Sequence, residues 1–386
     1  MDMMWRKLSL FFHKKTVMRI LQVINKLTIG GAERLLSDII PIMSQYHNVD
    51  VLVLQDYDSY FVEKLKNENI KVFSLGMKSV YNPLAVWKMG RFLKRSPKYD
   101  IIHVHLFPSQ YWVALCKCLF RIHVPLITTE HNPTNTRFNH KLTTWTDRWI
   151  YSFYDSIICI SEGVNRAMTD RVKGKVRTKT IDNGINLKLF SDAKPVKRTA
   201  CSIPEDAIVL MQVARFEEQK NQDCVIRALK RLPKNVYVVF VGDGTRRVFC
   251  ESLASEMGVE DRVRFLGVRS DIADLWTMAD MGIMSSHWEG FGLSAVEAMA
   301  AGKPVLGTRV EGLSEVIGNP DLCFSDDDDE GLAQLIMRFV KDEEFRTRTV
   351  EYCKQRASLF SIERMVDAHI LEYETVVSKY LYKTEV

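Results

Sequence analysis

The chain alternates between short apolar runs and longer amphipathic stretches. Residues 19–24 (Arg-Ile-Leu-Gln-Val-Ile) form a strand-sized run that ends at Asn25 and leads into a turn holding Gly30 and Gly31. A helix is expected to follow, from about Glu33 to Met43. Residues 49–54, 72–73, 101–104, 126–128 and 156–160 are further strand candidates, spaced by helix-length segments. Over 191–206 the alternation stops at a linker with two prolines. It resumes with 208–213, a helix near 222–232, 236–241, a helix near 246–257, then 263–265, 272–278, 281–284, 294–301 and 304–307. Strands that alternate with helices imply a parallel sheet covered on both faces, because a parallel crossover needs a dozen or more residues, usually a helix. The pattern predicts two doubly wound α/β units: an N-terminal domain over 1–190, a linker over 191–206 and a second domain over 207–365. A C-terminal helix over 366–386 could pack back on the first domain.

A length of 386 residues agrees with two domains and a cleft between them. With 46% hydrophobic and 26% charged residues the chain has the composition of an ordinary globular protein, and no apolar run is long enough to cross a membrane. Eight cysteines are scattered without a Cys-x-x-Cys pair or a regular framework, which fits a reducing cytosol better than a zinc or disulfide scaffold. The first 16 residues carry basic side chains around a short apolar segment but no small-residue cleavage site, so they do not read as a signal peptide. The net charge of +5 is uneven: up to Phe190 there are 28 Lys and Arg against 15 Asp and Glu, or +13, which leaves −8 for the remainder. A basic half suits nucleic acid, anionic head groups or phosphorylated substrates. The acidic run 326–329 reads as a solvated loop.

The chemistry concentrates in residues 287–305, His-Trp-Glu-Gly-Phe-Gly-Leu-Ser-Ala-Val-Glu-Ala-Met-Ala-Ala-Gly-Lys-Pro-Val. Glycines loosen a turn at 290 and 292, a helix starts near Leu293 or Ser294, and Gly302 and Pro304 end it. Its N-terminus offers free amides and a positive dipole end to a phosphate. Glu297, four residues after Leu293, shares its face, and a buried carboxylate there can accept two hydroxyl hydrogen bonds from a ribose diol.

Glu289 and Glu297, seven residues between them, followed by Ala-Met-Ala-Ala-Gly-Lys-Pro-Val, resemble the signature of the family-4 retaining glycosyltransferases. Supporting motifs run in that family's order: Gly30-Gly31-Ala32-Glu33, Thr129-Glu130-His131-Asn132, Ile160-Ser161-Glu162, Asn183-Gly184-Ile185, Val213-Ala214-Arg215-Phe216 with Lys220-Asn221, Val241-Gly242-Asp243-Gly244 and Phe265-Leu266-Gly267. The resemblance implies the GT-B fold, two facing Rossmann-like domains around a cleft. It implies that Arg215 and Lys220 neutralise the donor diphosphate without an obligatory metal or other cofactor, and that Glu289 contacts the transferred sugar. Phe291, Gly292 and Leu293 would meet sugar and phosphate, Glu297 the ribose, Gly31 the same phosphate from the first domain, and Val268 the base. His131, at the carboxyl end of a strand, would line the donor sugar on the acceptor side.

The expected activity is therefore retaining transfer of a hexosyl or N-acetylhexosaminyl group from a nucleotide-sugar, UDP being favoured, to a cell-surface polysaccharide, a lipid-linked oligosaccharide or a glycolipid. Alternatives are a GT-B sugar-nucleotide epimerase or sugar-phosphate synthase, and a non-catalytic sugar- or nucleic-acid-binding protein. The intact donor set argues against the last, and nucleic acid is not an expected partner. A nicotinamide oxidoreductase is disfavoured because neither glycine cluster has the G-x-G-x-x-G spacing. His103 and His105 share a strand face and, with His131, are the one arrangement that resembles zinc ligands, though no carboxylate or cysteine completes it. Residues 82–96 form a basic amphipathic helix in which Lys88, Arg91, Lys94 and Arg95 oppose Val86, Met89 and Leu93, and 111–122 adds Trp112 and Lys117. Both either pack on the first sheet with a solvated basic face or suit a peripheral protein on the anionic inner leaflet of the plasma membrane, beside a polyprenyl-diphosphate-linked acceptor.

Overall fold

A computed structural model describes residues 17–28, 30–56, 59–132 and 141–385. The first sheet is built from β1 (Arg19–Ile24), β2 (Asn48–Val53), β3 (Lys71–Ser74), β4 (Ile101–His105), β5 (Leu126–Glu130), β6 (Ser156–Cys159) and β7 (Thr178–Thr180). The second contains β8 (Ile208–Val213), β9 (Val236–Val241), β10 (Val263–Phe265), β11 (Met281–Met284), β12 (Val305–Thr308) and β13 (Cys323–Phe324). All neighbours pair in parallel, in the orders β3-β2-β1-β4-β5-β6-β7 and β10-β9-β8-β11-β12-β13. Two short edge strands, β7 and β13, escape the hydrophobic pattern because Thr178–Thr180 is polar at every position and Cys323–Phe324 is too short to show a period. The linker region contains a tight turn, Arg198–Cys201, anchored by the Arg198 fork on Asp280 at 2.9 Å.

Burial on both faces explains the runs read from the sequence. In β1, Ile20 and Ile24 pack on one side with Leu36, Met365 and Tyr373, while Leu21 and Val23 pack on the other with Met89 and Val113. Successive strand residues point to opposite faces, so a central strand must be apolar at nearly every position. Gln22 is the exception: its amide donates to Tyr373 Oη at 3.1 Å and its carbonyl lies 2.8 Å from His105 Nε2, so its burial is hydrogen-bonded.

The chain crosses between domains twice. Ile185 and Ser361 form a parallel bridge, with Ile185 N donating to Phe360 O and Ile362 N to Ile185 O, both at 2.9 Å. The final helix, Ile362–Glu385, then lies on the first domain against helix Gly31–Ser44. Arg177 holds its Glu372 at 2.9 Å and Tyr373 reaches His103 Nδ1 at 2.6 Å. Strand order reverses between β1 and β4 in one sheet and between β8 and β11 in the other. Open α/β sheets form their ligand crevices outside the carboxyl ends of strands at such points. The segments after β1, β8 and β11 carry Gly31, Arg215, Lys220, Glu289 and Glu297, while His131 follows β5 and Val268 follows β10.

Candidate active site

After β8 the chain runs through Arg215 to the tight turn Glu218–Lys220. Asn221, at φ 44°, ends that turn and caps the helix Gln222–Lys230, its side chain accepting from Cys224 N. Ser285 Oγ donates to the carbonyls of Lys220 and Asn221 at 2.9 and 2.8 Å, and Gln212 Nε2 donates to the Lys220 carbonyl at 3.0 Å. This stitching aims the Lys220 ammonium at Glu289, with which it forms an ion pair. Ser286 Oγ donates to the same carboxylate oxygen at 2.9 Å. Arg215, with its side chain 71% exposed, pairs with Glu217 at 3.0 Å. The glycines after β9 have a steric purpose here: a Cβ on Gly242, at φ 138°, would lie 2.0 Å from Ala214 O, so only glycine lets the β9 turn support the Arg215 loop.

The helix carrying Glu297 spans Leu293–Ala300 and starts at Gly292, φ 97°, with no side chain capping it. Its positive end therefore faces the Gly290–Gly292 turn, and Ser294 Oγ ties the first turn to Val213 O at 2.8 Å. Glu297 is buried. Burial pushes its carboxyl above the usual range, and the Arg34 guanidinium, 3.0 Å from Oε1, opposes that rise. Arg34 belongs to the other domain, on the first turn of Gly31–Ser44.

Two more contacts close the cleft. A Cβ on Gly290 would sit 2.2 Å from His131 O, so the Gly290–Gly292 turn and the end of β5 meet backbone to backbone. Glu33, its carboxyl raised by burial, is also acted on by Lys26 and by Arg215 from across the cleft. His131 follows β5, and its Nε2 is buried without a hydrogen-bond partner among the described residues. Burial, with a smaller contribution from His369, lowers its pKa to about 4, so the ring is neutral near pH 7.

Gly31, at the helix start, has open space where a side chain would stand. Val268 is exposed just past Gly267, while the Phe291 ring turns inward, edge-on to Phe360 at 5.5 Å. Beyond Phe291, toward the interdomain crossing, a cavity of about 370 Å³ is bounded by Ser161, Arg166, Asp182, Glu315 and Arg356, away from Lys220 and Glu289.

Three polar segments have partners that the sequence did not reveal. The acidic run begins as the exposed turn expected of it, but its carboxylates have partners: Asp326 meets His287 at 2.7 Å, Asp327 pairs with Arg227, Asp328 caps the helix Asp329–Lys341, and Asp329 holds Arg231 at 2.8 Å. Within the helix Leu84–Arg95, Lys88 turns inward to the carbonyls of Leu75 and Gly76, at 2.8 and 3.3 Å. In the neighbouring helix Ser109–Phe120, Trp112 Nε1 donates to Val80 O at 2.7 Å and Lys117 meets Asp155 at 3.3 Å. These polar groups serve packing rather than a free face.

His103 and His105 are buried and engaged as hydrogen-bonding groups. His103 lies between Tyr373 Oη and Thr129 Oγ1, at 2.6 and 2.7 Å. Among the described residues no group of three or more His, Cys, Asp or Glu is arranged to hold a metal ion. Nor is any helix among them long and apolar enough to cross a membrane. Sequence reasoning did not single out Arg34, Ser286 or His369. Arg34 immediately follows the quoted Gly-Gly-Ala-Glu motif, but its partner lies 263 positions later and no local pattern links the two.

The profile described as Glycosyltransferase Family 4 matches residues 29–189, and that of Glycosyl transferases group 1 matches 194–356. N-acetyl-alpha-D-glucosaminyl L-malate synthase of Bacillus anthracis is 27% identical over 331 residues, 82% of this chain and 83% of that protein. The lipopolysaccharide core biosynthesis glycosyltransferase LpsE of Rhizobium meliloti is 33% identical over 219 residues, 56% of this chain and 63% of its own. Anabaena HepE, solved in complex with UDP and glucose, superposes with a TM-score of 0.79 at 22% identity, covering 93% of this chain and 99% of the other. With two parallel Rossmann-like sheets, the motifs of both domains at the cleft, and matches along both halves, the chain belongs to the family-4, group-1 glycosyltransferases of GT-B architecture.

Proposed function

We propose that the chain transfers a hexosyl or N-acetylhexosaminyl group, with retention of anomeric configuration, from a nucleotide-sugar to a growing cell-surface polysaccharide, lipid-linked oligosaccharide or glycolipid. The observation that carries this reading is the convergence of Lys220, Glu289 and the uncapped start of helix Leu293–Ala300 in one corner of the cleft, with Arg215 on the same loop and His131 opposite. Arg215, Lys220 and the helix end neutralise the leaving diphosphate, so no obligatory metal is required. Glu289 engages the sugar, Glu297 the ribose and the exposed segment at Val268 the base. Phe291, Gly292, Leu293 and Gly31 bring backbone to sugar and phosphate. Neutral His131 donates or accepts one hydrogen bond at the sugar. Positioning and leaving-group stabilisation supply the catalysis. UDP is the favoured nucleotide, and the relative solved with UDP and glucose supports it.

The acceptor is assigned to the first domain, whose +13 charge suits a diphosphate-linked lipid at an anionic inner leaflet. A small soluble acceptor is the second reading, favoured by the N-acetyl-alpha-D-glucosaminyl L-malate synthase relative. Release of UDP or GDP from a panel of sugar nucleotides, with membrane extract or small polar acceptors added, tests both. Nucleotide release that needs membrane extract supports the lipid-linked acceptor. Release that needs only a small acceptor supports the second reading, and rapid release without any acceptor would refute transfer.

A further inference from the structure

Glu297 has only 5% of its side chain exposed, and a carboxylate so placed needs a counter-charge. The cation that acts on it comes from the opposite domain: Arg34 Nη1 lies 3.0 Å from Oε1. Asp38, one turn further along the same helix, is the acidic group that acts against it. Arg34 is fixed at the root, since its backbone N donates to Gly30 O at 2.9 Å in the first turn of Gly31–Ser44. A guanidinium is planar and carries five donors, so contact with one carboxylate oxygen sets the orientation of the whole group and leaves Oε2 for another donor. The side chain is itself 43% exposed, so the guanidinium is not sealed in by the pair.

We propose that Arg34 is a positioning residue of the nucleotide site: from the first domain it holds the Glu297 carboxylate in place for the ribose diol, so that ribose recognition is complete only when the two domains are closed. The proposal rests on the reading of Glu297 as the ribose partner. A single domain then cannot discriminate ribose well, because the carboxylate is on one domain and its orienting cation on the other. Nucleotide affinity and domain closure become one equilibrium, each favouring the other by the same factor.

Calorimetry on the full chain tests it, using UDP and GDP, then the tighter of the two against its 2′-deoxy form. Wild type is expected to prefer the ribose form by about tenfold, the usual effect of one charge-assisted hydrogen bond. In Arg34→Gln the ribose form should weaken and the preference fall toward one, while Arg34→Lys, which keeps a charge, should restore part of it. Thermal melting of each variant checks that the fold is kept. Arg34→Gln with the wild-type preference overturns the proposal. So does an equal loss for both forms, which would place Arg34 on the diphosphate instead, and so does tighter binding, which would make the pair a latch that the nucleotide must break. A wild type without any preference removes the reading of Glu297 itself.

Discussion

Lys220 and Glu289 form an ion pair in which Ser286 shares the carboxylate, so the residue proposed for the leaving diphosphate and the one proposed for the transferred sugar hold each other in register. With side chains 20% and 13% exposed, the pair is accessible from the cleft yet shielded enough for its charges to matter. Lys220→Ala should lower kcat/KM by at least about 100-fold, because it removes a charge from the leaving group and leaves Glu289 with Ser286. Arg215→Ala should cost less, roughly tenfold or more, since that side chain is 71% exposed and already paired with Glu217. Steady-state kinetics with a melting curve decides: full activity in either folded variant would refute the clamp.

Chelation should leave most activity if, as proposed, Arg215, Lys220 and the start of helix Leu293–Ala300 neutralise the diphosphate. Complete loss with EDTA, reversed by magnesium or manganese, would overturn metal independence. The acidic run is a structural matter: Asp328→Ala should destabilise by about 1 kcal/mol through loss of the cap on Asp329–Lys341, as read from urea unfolding, while Asp328→Asn keeps an accepting oxygen.

Membrane association, if it runs through Leu84–Arg95, depends on a smaller basic set than the sequence suggests. Lys88 is spent on backbone carbonyls, which leaves Arg91 over the exposed Trp87 ring at 4.5 Å, Lys94 and Arg95. Each basic group near an anionic surface adds about 1 kcal/mol, and salt screens it. Wild type should sediment with anionic and not neutral vesicles, and release with salt. The triple Arg91, Lys94 and Arg95→Ser variant should stay in solution, whereas Lys88→Ser should pellet like wild type. Equal binding by the triple variant would reduce this helix to an ordinary solvated face.

Stability should fall in mild acid. His103, His105, His131 and His369 are all lowered by burial, the last two to about 4. An unfolded histidine takes a proton near 6.5, so between pH 6.5 and 4 the unfolded chain binds protons that the native chain does not, and stability is lost as pH falls. Fully buried His369 alone contributes on the order of 3 kcal/mol by pH 4. Glu33, Asp182 and Glu297, raised by burial, act in the opposite direction, but they are three against four histidines and Asp271, whose carboxyl Arg269 holds down. Urea midpoints at pH 7.5, 6 and 5 should decline in that order; a flat or rising series would contradict the neutral cluster.

The sequence alone determined the two α/β units, because a strand buried on both faces must be apolar throughout, and runs such as those of β1 and β9 have few other uses. Through the motifs that resemble the family it also named the candidate donor residues on the second domain, because Arg215 and Lys220 lie close along the chain, as do Glu289 and Glu297, and such short motifs are legible without the fold. What lies across the cleft was decided only by the fold. The pairing of Arg34 with Glu297, the approach of Gly290 to His131 and the return of Tyr373 to His103 join residues far apart in the chain, through contacts that depend on how two domains dock. The inward turn of Lys88 and the pairing of Asp326 to Asp329 belong to the same class. A charged residue looks the same in a sequence whether it faces water or a carbonyl, and only packing distinguishes the two.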